Sequence, residues 1–156
     1  MKLFLMRRFA FFCTTILLSH YICSQSTDSL AHHLADKAEK LNNEQSLTFL
    51  SEAFALCNTY VCADSTIARL FQRASVAYYL AQIDNNISLS YTDSAIYYYT
   101  KAYGQNHLIT ANSHYNKGAI QSSLGDYVSA RVNVEKAINY LTGVTEVNNL
   151  NTDSIA

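Results

Sequence analysis

Ala95, Tyr99 and Ala102 are followed, 35 residues later, by Ala130, Val134 and Ala137, a second apolar triplet at the same steps of four and three. Steps of three and four return side chains to one face of an α-helix, whereas a strand would throw them to opposite faces. A unit that recurs at a fixed period of this size is one supersecondary element used more than once. The 156 residues contain no proline and only four glycines, so the commonest helix breakers are nearly absent. The expected fold class is therefore all-α, built from helices that pack against their own repeats.

Apolar periodicity divides the chain into six segments. Ser26, Thr27 and Asp28 predict the cap of a first helix carrying Leu30, Leu34, Ala38 and Leu41, and Asn42-Asn43 predicts the turn after it. A second helix, from about Glu44 to Asn58, presents Leu47, Leu50, Ala53, Phe54 and Cys57 as one stripe. Asp64 and Ser65 read as the cap of a third, Thr66 to about Ile83, whose Ile67, Leu70, Phe71, Ala74 and Tyr78 predict contact on two sides. Asp84-Asn85-Asn86 reads as its closing turn. The fourth helix is expected over about Ser90 to Tyr103, with Gly104 at its end, and the fifth over about Ile109 to Ser123. The sixth follows to about Leu141, with Gly143 behind it. Of the consecutive Tyr97, Tyr98 and Tyr99, the period sends Tyr99 inward.

Between the last two helices stands Leu124-Gly125-Asp126-Tyr127, expected as a turn in which Gly125 takes a left-handed conformation, Asp126 caps the next helix and Tyr127 starts its buried face. Gly118, Leu124, Gly125, Asp126, Tyr127, Ala130 and Ala137 together resemble the tetratricopeptide repeat (TPR) pattern, with Val134 where that family usually carries Phe. The resemblance covers residues 90 to 141 well and 28 to 83 loosely. It implies about three antiparallel helix pairs over 25–142, stacked as a right-handed superhelix. Gly118 would allow close approach of the paired helices, with Ala130 and Ala137 on the opposite side of the contact. It also implies a groove presenting Asn112, Tyr115, Asn116, Ala119 and Ser122, whose amide and hydroxyl groups suit a peptide backbone. The plainer reading of those five positions is a solvated polar surface.

The N-terminus carries Lys2, Arg7 and Arg8 ahead of the apolar run Phe9 to Leu18, with no acid before Asp28. That is the layout of a secretory signal over 1–24, cleaved after Ser24, and the run is short for a bilayer span. An uncleaved anchor, or acylation at Cys23, are the alternatives. Removing the leader takes away three of eleven basic residues and leaves an acidic chain, which argues against a nucleic-acid surface. Cys57 and Cys62 remain, and in an oxidising compartment they either close a local disulfide or stay as two thiols. A lone cysteine pair cannot complete a tetrahedral zinc site.

No catalytic motif is present. His32 and His33 are adjacent and so diverge on a helix, and no HExxH, nucleophile elbow, phosphate loop or paired-carboxylate arrangement occurs. Neither enzyme activity nor a cofactor or metal is expected. The function expected from the resemblance is a non-enzymatic scaffold, periplasmic or secreted, that binds a protein or peptide. The alternative is the sensory input region of a larger membrane-bound signalling protein, a sensor kinase or transcriptional regulator. Membrane contact would then come only through the leader or a missing C-terminal part. Residues 143–156 have a linker's polarity, and Asp153-Ser154-Ile155-Ala156 looks like the start of a further helix, as if a longer array continued.

Overall fold

A computed structural model describes residues 25–41 and 43–152. The leader, with its cleavage site and Cys23, the turn residue Asn42 and the helix start expected at Asp153 lie outside the described residues. Within them the chain is all-α: six helices and no strand. These are α1 (25–39), α2 (Asn43–Thr59), α3 (Asp64–Leu80), α4 (Asn85–Tyr103), α5 (Leu108–Ser123) and α6 (Tyr127–Thr152).

Helices α3 and α4 form one antiparallel pair, and α5 and α6 another. In α3 and α4, Ser75 meets Ser88 and Thr92, while Ala68, farther back, packs with Ala95 and Tyr99. In α5 and α6, Gly118 lies against Ala130 and Val134, and the earlier His114 reaches the later Tyr140. At the end of the pair nearest the connecting turn the α3–α4 contact is made of hydroxyls. Ser88 donates to the Ser75 carbonyl (2.8 Å) and Thr92 to that of Ser88 (3.0 Å), leaving the Ser75 hydroxyl as donor to Thr92 Oγ1 at 2.6 Å. All three are buried and all three are hydrogen-bonded, so small side chains close the gap with the cost of desolvation offset.

A second set of contacts links α1 to α3, and it runs the other way. Asp28 accepts from the Ala63 N–H (2.9 Å), His32 meets Thr66 (3.0 Å), Asp36 pairs with Arg69 and Glu39 with Arg73 (2.5 Å). The residue numbers rise together and each rung spans 33 to 35 positions, so the two helices lie side by side and parallel. The ion pairs are half-exposed and contribute at most about 1 kcal/mol each, so they set register more than stability. Burial supplies the stability. Ala35 and Ala38 of α1, Leu50 and Ala53 of α2, and Leu70, Ala74 and Ala77 of α3 form one core. Beside it, Phe71 packs against Phe54, Tyr91 and Tyr98 with centroids 5.0 to 5.9 Å apart.

Several boundaries differ from the sequence expectation. Residues 26–28 lie inside α1, and Asp28 serves the α2–α3 connection instead of capping its own helix. The buried stripe of α1 is Ala31, Ala35 and Ala38, while Leu30 stays exposed, because alanines let two neighbours approach. The N-cap position of α3 is Ala63, without a side-chain bond; Asp64 sits in the first turn and pairs with Lys101. Asp84-Asn85-Asn86 opens α4: Asp84 accepts from the Asn86 and Ile87 N–H groups. Finally, α6 continues through Gly143 to Thr152, where a linker was expected. Gly143 does not take a positive φ and residues 144–152 hold no proline, so nothing in that stretch forces a stop.

Candidate functional site

Helix α5 has two working sides. Ile109 packs on the Ala68–Ala95–Tyr99 cluster, Ser113 donates to Gln72 Oε1 (2.9 Å) and Lys117 pairs with Asp93 (2.5 Å), so this side faces α3 and α4. Two residues on from Ser113 and Lys117, about 200 degrees around the helix, Tyr115 and Ala119 point the opposite way. With Ser122 they form one wall of an open cleft whose other wall is Tyr127, Arg131, Val134 and Glu135 of α6. The cleft measures about 390 Å³.

Its floor is Gly118 and Ala130. A Cβ added at Gly118 would lie 2.8 Å from Val134 Cγ2 and 2.9 Å from the Ala130 carbonyl oxygen, so only glycine lets the helices meet this closely. Behind the floor, the Asn133 amide donates to Gln121 Oε1 (2.8 Å) and the Ser129 carbonyl (3.1 Å). Its oxygen is left to accept from His114 Nδ1 at 3.0 Å, which fixes the neutral ring as the Nδ1–H tautomer. Burial pushes the His114 pKa down; the bond to Asn133 opposes that shift, while Lys136 and Lys117 reinforce it.

Three of the five residues expected in a groove therefore share the cleft: Tyr115, Ala119 and Ser122. Asn112 and Asn116 do not line it. They lie about 60 to 100 degrees farther round α5 from Tyr115, on the edge away from α6, because steps of four drift around a 3.6-residue helix. The sequence also gave no sign of a second cleft, at the other end of the molecule. Leu30 and Leu34 of α1 and Glu52, Ala55, Leu56 and Thr59 of α2 line a wide-open depression of about 460 Å³ there.

Cys57 and Cys62 are bridged, with Cα atoms 5.2 Å apart, closing the end of α2 onto the connection that Asp28 also holds. His32 is bonded to Thr66 and His33 is exposed. Among the described residues no cluster of three His, Cys, Asp or Glu side chains is placed to hold a metal. No helix among them is long and apolar enough to cross a membrane. The α5–α6 cleft thus has an apolar floor and wall rimmed by the hydroxyls of Tyr115, Ser122 and Tyr127, the Arg131 guanidinium and the Glu135 carboxylate. Comparison of the chain with family models, curated proteins and solved structures finds no match in any of the three.

Proposed function

We propose that the chain is a TPR-like scaffold that binds a protein or peptide segment outside the cytoplasm, with the α5–α6 cleft as a contact surface. The observation that carries this reading is the parallel ladder between α1 and α3. Its rungs span 33 to 35 residues, and the apolar triplets of α4 and α6 recur at 35. Two independent features, one polar and one apolar, give the period of a stacked helical repeat. The Cys57–Cys62 bridge supports the extracytoplasmic part, because such bonds persist where the environment is oxidising.

In this reading Tyr115 is the anchor. It is 58 % exposed, rigid for its size, and stands over an apolar floor. The test is selection of binding peptides from a displayed library, followed by titration against variants. Tyr115→Ala should weaken selected ligands at least tenfold, and Val128→Ala, exposed elsewhere on α6, should leave them unchanged. Ligands indifferent to Tyr115, or an absence of ligands, would overturn the assignment.

A further inference from the structure

Helix α3 begins without a cap of its own. Ala63 holds the N-cap position with no side-chain bond, and its N–H goes instead to the Asp28 carboxylate of α1 at 2.9 Å. One residue earlier stands Cys62, tied to Cys57 at the end of α2. The bridge closes a ring over residues 57–62, which carries the exposed Tyr60 and Val61, and so fixes the connection that Asp28 receives. The Asp28–Ala63 bond is also the first rung of the ladder that aligns α1 with α3, ahead of His32–Thr66, Asp36–Arg69 and Glu39–Arg73. The apolar hold on α1 is slight: its buried apolar residues are Ala31, Ala35 and Ala38, with Leu34 partly buried beside them. Methyl groups remove little area from water, so a small change at the first rung is enough to shift the docking of α1.

We infer that the Cys57–Cys62 bridge is a redox-sensitive latch that sets whether α1 stays docked on α3. Closed, it holds Ala63 where its N–H meets Asp28. Opened, it frees the connection, the first rung parts and α1 leaves the core; a helix of this length is no better than marginal alone. The reductant it fits is a small dithiol. Cys57 is half-buried and Cys62 buried, so the attacking thiolate meets the Cys57 sulfur. A mixed disulfide forms, the Cys57–Cys62 bond breaks and Cys62 leaves as a thiolate. The second thiol of the reagent then displaces the Cys57 sulfur and closes the reagent's own disulfide. Two electrons pass from dithiol to chain, and the two protons of the dithiol end on Cys57 and Cys62. No residue of the α5–α6 cleft takes part.

Amide hydrogen exchange on the full chain tests this, with dithiothreitol as the dithiol. Reduction should speed exchange of Ala63 and of the α1 amides by roughly ten- to thirtyfold, the effect of opening a ring this short, and leave α5 and α6 unchanged. Reoxidation should restore the slow rates. Cys57→Ser combined with Cys62→Ser should show the fast rates throughout and ignore dithiothreitol. In Asp28→Ala the first rung is already missing, so α1 should exchange fast with the bridge closed, and reduction should add about threefold at most. Equal α1 rates in both redox states, acceleration spread evenly over α5 and α6, or a full response to reduction in Asp28→Ala would each overturn the latch.

Discussion

Gly118 and Gly143 are both helical glycines, yet their surroundings give opposite expectations. At Gly118 alanine gains roughly 1 kcal/mol of helix propensity, but its Cβ would press on the Ala130 carbonyl, which is backbone and cannot rotate away. Overpacking of that kind costs about 1–3 kcal/mol, so Gly118→Ala should destabilise by about 1 kcal/mol in urea unfolding. Gly143 has nothing within 4 Å of the same position. Gly143→Ala should stabilise by about 0.5–1 kcal/mol, and equal signs for the two variants would contradict this account. The role of Gly118 was legible because small residues at fixed spacing mark close helix contacts. Tyr99 was legible too, and it is 8 % exposed while Tyr97 is 62 % exposed. The fate of Asn112 and Asn116 was not, since polar residues on a helix edge read alike whether they border a cleft or open solvent.

The two hairpin turns inside the pairs are built alike. After α5, Gly125 at φ 81° donates its N–H to Ser122 and the next N–H, from Asp126, goes back to Gln121. After α3, Gln82 at φ 52° donates to Tyr79 and Ile83 donates to Tyr78, the same pair of bonds on the same carbonyl positions. An aspartate then caps the following helix in each case, Asp126 or Asp84. Only the first turn announces itself, because glycine is the residue that signals a left-handed position. Gln82 carries no such mark, and Asp-Asn-Asn suits a closing turn as well as an opening cap, so the start of α4 was placed five residues late. It follows that Gln82→Gly relieves a left-handed side chain and should raise the thermal midpoint, a gain of about 0.5–1 kcal/mol. A lower midpoint would mean that the glutamine has a role beyond its backbone.

For the whole molecule, acid acts through α5 and α6 first. The His114 pKa is held below its ordinary 6.5, chiefly by burial, so the unfolded chain binds this proton more readily than the folded one. Its contribution is complete above that value and is lost as pH falls below it. Asp126 follows at lower pH: bonds from the Ser129 side chain and backbone hold its pKa below 3.8, and the stability they confer fades as the cap is protonated. Thermal midpoints measured from pH 7.5 to 5 should decline, and His114→Gln should flatten that decline; an unchanged slope would assign it to other groups. Helix content, the number of helices and the roles of Gly125 and Asp126 in the α5–α6 turn could be read from the sequence, whereas Tyr127, expected to start a buried face, is 70 % exposed. The side chains of the ladder that holds α1 parallel to α3 could not, because Asp28, His32, Asp36 and Glu39 read from the sequence as caps and solvated helix positions. That parallel ladder also determines how the molecule answers tension. A pull on the two ends passes through the junctions between helix pairs in series, and each junction is closed by contacts local to its own neighbours. The pairs would come away one at a time, each lengthening the chain by on the order of 100 Å, so the array would absorb force as a stepwise spring.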